Sequence, residues 1–161
     1  MIIGIDPGAR GAIAGISRKD GSFKFIEDMP DLKEPNGRTL LSEIIRSNSL
    51  PGEGVRTSLW IENQQPMPTS MSRTMFFVGL GYGVLLATIR CLGLSANHVR
   101  AADWKRPLGL LKSGKDGSIK KAAQYFGIER LMRTKRCTRP MDGRADALLI
   151  AYYGRTQELA W

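Results

Sequence analysis

Only two cysteines, Cys91 and Cys137, and one histidine, His98, occur among the 161 residues. Two thiols are too few for a disulfide framework or a zinc site, which points to a reducing compartment. No P-loop, nucleophile triad or cysteine/histidine metal spacing is present. Acids are scarce: 15 Asp and Glu stand against 24 Lys and Arg, for a net charge of +9 and a pI near 9.9. That balance suggests a polyanionic partner. No unbroken hydrophobic run reaches membrane length, because the most apolar stretch, 75–94, contains Gly79, Gly81, Gly83, Thr88 and Arg90. No membrane span is therefore expected. A strand-like run beginning at Met1 argues against a signal or transit peptide, so a cytoplasmic protein of a bacterial or phage-infected cell is expected. The length, a hydrophobic content of 42% and a mean hydropathy of −0.20 predict a single globular domain over 1–161.

What is present is organised around the first sixteen residues, MIIGIDPGARGAIAGI. Apolar runs at 1–5 and 11–16 flank a Pro-Gly turn and predict two strands joined as a hairpin. Asp6 ends the first run. One reading makes it the residue that starts the Pro-Gly turn. The other makes it a metal-binding carboxylate at a strand's C-terminal end, where open sheets place their sites. Carboxylates in equivalent places downstream decide between the two.

Further along, 23–26 predicts a third strand, 30–37 a loop and 39–48 a helix, with apolar residues at 40, 41, 44 and 45. A loop at 51–54 leads to a buried strand over 58–61, which ends on Glu62. Asn63 to Ser70, with two prolines, reads as a loop. Thr69 or Ser70 is placed to cap a long helix over 71–91. That helix is apolar on nearly every side, which predicts burial on more than one face. Gly79, Gly81 and Gly83 each cost about 1 kcal/mol against Ala in a helix and suggest close backbone approach, to the sheet or to a second subunit. A fifth strand is expected over 94–101, where His98 reads as a structural strand residue. A short helix begins at 103–105, a basic loop covers 112–117, and helices cover 118–126 and 141–153.

From 100 to 144 there are thirteen Lys or Arg against four acids. That excess equals the net charge of the whole chain, so the basicity is regional, and it favours nucleic acid as the partner. The last helix carries Asp142 and Asp146, four residues apart and so neighbours on one face. Asp142 also reads as an N-cap, whereas Asp146 heads an apolar, core-facing run. Asp6, Glu62, Asp142 and Asp146 together make a candidate four-acid site. Such a cluster repels itself unless a cation is present, and hard Mg²⁺ suits all-oxygen ligands.

The segments GIDPG with GAIA, WIEN at a strand end, and DGRADALLIA, in this order along the chain, resemble the RuvC family of Holliday-junction resolvases. The pattern is most similar to phage-type and plant-organelle relatives, because the bacterial enzymes space their last two acids three apart and this chain spaces them four apart. The resemblance implies an α/β, RNase H-like fold with a mixed five-stranded sheet flanked by helices on both faces. It implies that Asp6, Glu62, Asp142 and Asp146 are catalytic acids holding two Mg²⁺ per site, with Mn²⁺ expected to substitute. It implies a homodimer that nicks two opposing strands of a four-way DNA junction by two-metal phosphodiester hydrolysis, and it leaves any accessory helicase open. Lys105 and Lys115 resemble the family's phosphate-contacting lysines. Gln64, Gln65 and Met67, in the loop after Glu62, are expected to face the branch point, and Arg144 is expected to contact DNA. The alternatives are a related nuclease of RNA–DNA hybrids or other branched DNA, and a non-catalytic binding module. A fragment resembling sugar-kinase and actin-like ATPases is also conceivable on the opening strand, but that fold needs two such domains and a longer chain.

Overall fold

The computed structural model describes residues 1–49, 56–65, 71–134 and 136–160. Five strands form one sheet: β1 (Ile2–Asp6), β2 (Ala12–Ile16), β3 (Phe23–Asp28), β4 (Ser58–Glu62) and β5 (Ala96–Val99). Their order is β3-β2-β1-β4-β5, with the β1–β2 and β2–β3 pairs antiparallel and the β1–β4 and β4–β5 pairs parallel. The helices are α1 (Pro35–Ser49), α2 (Ser72–Cys91), α3 (Ala101–Lys105), α4 (Gly114–Phe126) and α5 (Asp142–Leu159), with a 3₁₀ turn at Ile128–Leu131. This is the mixed five-stranded, RNase H-like architecture expected from the sequence.

Strand alternation sorts the apolar residues into two cores. Ile3, Ile5, Ile13, Leu59 and Ile61 pack under α1 and α2, against Leu41, Ile45, Leu85 and Ile89. Ile2, Ala12, Ala14 and Ile16 pack under α5, against Ala147, Leu148 and Ala151. The same arithmetic fixes where the polar strand ends point. Asp6 shares parity with Ile2 and Gly4, and Glu62 shares it with Trp60, so both carboxylates fall on the α5 side of the sheet.

How close α5 lies depends on Gly4, since a Cβ there would overlap the Ala147 carbonyl and the Ala151 amide. Gly143 does the same for the first turn of α5, where a Cβ would strike the Arg10 carbonyl. Both obstacles are backbone, so neither can swing aside. Gly4→Ala is accordingly expected to destabilise the protein by about 1–3 kcal/mol, measured by urea unfolding. An unchanged midpoint would show that the helix can lift off the sheet freely.

Several boundaries differ from those expected. α1 starts at Pro35, inside the expected 30–37 loop, because proline at the first helical position gives up an N–H that has no helical partner. α4 starts at Gly114, inside the expected 112–117 loop, with Asp116 in its first turn favoured by the helix dipole. β3 runs on to Asp28, β5 is confined to 96–99, and α5 continues to Leu159. The expected caps Thr69 and Ser70 lie outside the described residues, and Met71 occupies the N-cap position of α2.

α2 departs furthest from expectation. By length and composition it is apolar enough to cross a membrane, yet its C-terminal half belongs to the sheet's core through Leu85 and Ile89. These two are the only α2 residues that are buried, while Phe76 is 65% and Val78 40% exposed. The expected burial on more than one face is not met among the described residues. The helical period also separates the three glycines. Gly79 and Gly83 share a face with nothing within 4 Å, whereas Gly81 looks onto Leu32 Cδ1 at 3.8 Å. Gly79 and Gly83 therefore do not serve packing on the chain's own sheet.

Candidate active site

The turn after β1 holds Asp6 in place. Gly8 N–H donates to Asp6 Oδ1 at 3.0 Å, and Gly11 N–H donates to the Gly8 carbonyl at 2.8 Å. Asp6 thus starts the Pro-Gly turn and is also turned toward the other acids, so the two readings of this residue are compatible. Next to it, the parallel register pairs Ile2 with Ser58, Gly4 with Trp60 and Ile5 with Ile61. One step further that register sets Asp6 beside Glu62, on strands about 4.8 Å apart. From above, α5 contributes Asp142 and Asp146 in its first two turns, lowered onto the hairpin by Gly143.

The other three carboxylates lie within electrostatic reach of Asp6. Burial pushes the Asp6 carboxyl up to about 7, with the charges of Asp146, Glu62 and Asp142 adding to the rise against the Gly8 hydrogen bond. Glu62 is also raised, by burial first and by Asp146, and is held back by Trp104 and Lys105. Among the described residues no group of three or more His, Cys, Asp or Glu side chains is assembled to hold a metal ion. The donor chemistry nevertheless fits Mg²⁺, which usually binds one or two carboxylates and fills its shell with water and substrate phosphate oxygens. A cation here would also relieve the mutual repulsion that raises Asp6.

Trp104 was not anticipated. It is fully buried, and its indole Nε1–H donates to Glu62 Oε2 at 2.7 Å. Its only trace in the sequence is a tryptophan in a basic stretch, immediately before Lys105. Lys105 Nζ lies 3.9 Å from Asp146 Oδ2 and 4.9 Å from the centre of the Trp104 ring, so without DNA it already neighbours an acid. Asn63, the residue after Glu62, accepts from Tyr82 Oη at 3.1 Å, and His98 Nδ1 lies 3.2 Å from the same Asn63 oxygen. This cluster ties α2 to the ends of β4 and β5 and agrees with a structural role for His98.

The expected DNA-contact residues fare differently. Gln64 is half-buried and Gln65 exposed at the site's rim, and Met67 lies outside the described residues. Lys115 falls in the first turn of α4, with its side chain outside the described part. Arg144 is a correction. It is buried at 9% exposure, its Nε donates to Asp28 Oδ1 at 2.6 Å, and its Nη1 donates to the Met132 carbonyl at 2.9 Å. Arg133 also pairs with Asp28, at 2.9 Å. A guanidinium so engaged ties α5 to β3 and to the segment before α5, and has little left for phosphate. The helical face explains this: Arg144 is two residues from both Asp142 and Asp146 and points away from them. Arg144→Ala should cost about 2–4 kcal/mol of stability by leaving Asp28 short of a partner. The salt slope of DNA binding should stay unchanged. A lowered slope at wild-type stability would return Arg144 to the DNA surface.

No family model matches the chain, and no curated protein matches it significantly. Among solved structures, its fold is similar to that of the T. thermophilus RuvC in complex with Holliday junction substrate, at a TM-score of 0.66 and 15% identity, covering 98% of this chain and 94% of that one. It is also similar to the Thermus thermophilus RuvC structure, at a TM-score of 0.62 and 18% identity, covering 99% and 96%. The likeness spans essentially the whole of each chain.

Proposed function

We propose that this chain is a metal-dependent endonuclease of the RuvC type that resolves four-way DNA junctions by paired nicks. The observation that carries the reading is that Glu62, Asp142 and Asp146, from a strand end and one helix, lie near enough for their charges to act on Asp6, in a chain with a net charge of +9. A binding module for a polyanion gains nothing from acids brought within electrostatic reach of one another. The fold likeness to a RuvC bound to a Holliday junction supports the junction as substrate. The D-G-R-A-D spacing supports the phage-type and organelle branch within that group. The two free thiols are in keeping with a reducing, cytoplasmic setting.

Two Mg²⁺ ions, when bound, would supply activation of the attacking water and stabilisation of the leaving 3′ oxygen. The chain's own residues do the remainder. Asp6, Glu62, Asp142 and Asp146 are the residues that would hold the ions. Lys105 sits where it can leave Asp146 for a phosphate oxygen as the backbone arrives. Gln64 and Gln65, following Glu62, present polar side chains to the branch. The deciding experiment is a Mg²⁺-dependent cleavage panel with linear, flapped, RNA–DNA hybrid and four-way substrates. Preferential, symmetric nicking of the four-way junction is expected. Preferential cleavage of the hybrid or the flap would move the chain to another RNase H-like nuclease activity.

Symmetric nicking needs two sites related by a two-fold axis, so the proposal includes a homodimer. Its contact is the open face of α2, where Phe76, Gly79 and Gly83 are uncovered. Gly79→Leu separates folding from assembly. A Cβ there meets nothing among the described residues, and the variant should keep or slightly raise stability by helix propensity. Overpacking of the contact should weaken dimerisation about tenfold or more in sedimentation. A wild-type protein that stays monomeric at micromolar concentration with junction bound would end the dimer proposal.

A further inference from the structure

The acids above do not by themselves say how Glu62 is held. A glutamate has three side-chain torsions, and at a strand end it sweeps a wide volume unless something fixes it. Here α3 provides the restraint. Trp104 has none of its surface exposed and is packed in the core beneath α5 with Val99, Leu110, Leu131 and Leu148, so its ring cannot turn. From that fixed ring the Nε1–H reaches Glu62 Oε2 at 2.7 Å, a charge-assisted bond at the short end of its range. Indole is a donor only, so it cannot compete as an acceptor or draw the carboxylate toward any other donor. Phenylalanine or leucine would fill the same space with no N–H. The next residue, Lys105, lies 3.9 Å from Asp146, so consecutive residues of one short helix reach two of the four acids.

We propose that Trp104 is a positioning residue for metal binding: its buried indole N–H commits and restrains Glu62 Oε2, leaving Oε1 as the oxygen that would hold a cation. The inference rests on the metal-dependent reading above and deepens it. Outer-shell hydrogen bonds of this kind are worth about 10–100-fold in metal affinity or activity.

The test is Mn²⁺ binding to the whole chain, followed by electron paramagnetic resonance of free Mn²⁺, for wild type, Trp104→Phe, Glu62→Gln and the double variant. Trp104→Phe should bind Mn²⁺ about 10–100-fold more weakly, and its nicking rate should recover when Mn²⁺ is raised, a metal-affinity effect rather than a loss of turnover. In the Glu62→Gln background the same substitution should add no loss, which a merely structural tryptophan would not obey. Wild-type affinity in Trp104→Phe, or an equal loss in both backgrounds, overturns the proposal. A second measurement needs no Trp104 variant. In ¹⁵N-labelled wild type the Trp104 indole resonance should move on addition of Mg²⁺ and should stay still in Glu62→Gln; a resonance indifferent to Mg²⁺ in wild type also overturns it. Wild-type protein that binds no Mn²⁺ brings down the metal-dependent function and this inference together. Mn²⁺ binding that is equal in wild type and Trp104→Phe brings down this inference alone.

Discussion

Asp6→Asn, Glu62→Gln and Asp146→Asn are each expected to lower Mg²⁺-dependent junction nicking by on the order of a thousandfold or more. Metal-assisted stabilisation of phosphoryl transfer is worth several kcal/mol, and each 1.36 kcal/mol is a factor of ten in rate. Each substitution keeps the shape of the side chain and removes one anionic oxygen from the site. Junction binding should survive or tighten, since repulsion between carboxylate and phosphate is reduced. That pairing separates a catalytic acid from one needed for folding. Full nicking by any one of the three purified variants would remove that residue from the site. Asp142→Asn belongs in the same series, as the acid at the very start of α5, and should also lower the rate.

The second large effect is on stability, and its sign follows from Asp6. Its carboxyl stands at about 7 in the folded protein against 3.8 as the ordinary value, chiefly through burial. Between those pH values the folded state holds a proton that the unfolded state has released. Raising the pH through this window therefore destabilises the metal-free protein, with the penalty absent below 3.8 and complete above 7. It amounts to no more than about 4 kcal/mol, since the group is half-buried and water moderates the field. Asp6→Asn mimics the protonated form and isolates this contribution. Without metal, the variant should exceed wild type in unfolding free energy at pH 8, and the gap should close by pH 4. Mg²⁺ at pH 8 should restore the wild type by mass action and do less for the variant. A gap independent of pH would show that folding does not raise the Asp6 carboxyl. The same substitution would then be inactive and more stable, a trade common at strained sites.

The segments that read correctly from sequence are those whose signal is local. Short apolar runs at 1–5, 11–16 and 58–61 became β1, β2 and β4 within a residue or so, because alternation and flanking turns are properties of adjacent residues. The boundaries that moved, at Pro35 and Gly114, belong to segments where proline and glycine read equally as loop and as helix start. α2 misled for a different reason. An all-apolar helix must be covered, but composition does not say whether its own sheet covers it, and here only Leu85 and Ile89 are buried by the fold.

Within the site the division is equally physical. That Asp6 and Glu62 close apolar strands, and that Asp142 and Asp146 share a helix face, was determined by the sequence alone, because strand and helix periods act over two to four residues. That Glu62, Asp142 and Asp146 come within electrostatic reach of Asp6 was decided by the tertiary structure, through the parallel register of β1 on β4 and the seating of α5 over Gly4. The tertiary structure also turned Arg144 inward to Asp28, 116 residues away, and set the Trp104 indole on Glu62, 42 residues away. Those partners are chosen by how whole elements pack, and no periodicity along the chain carries that information.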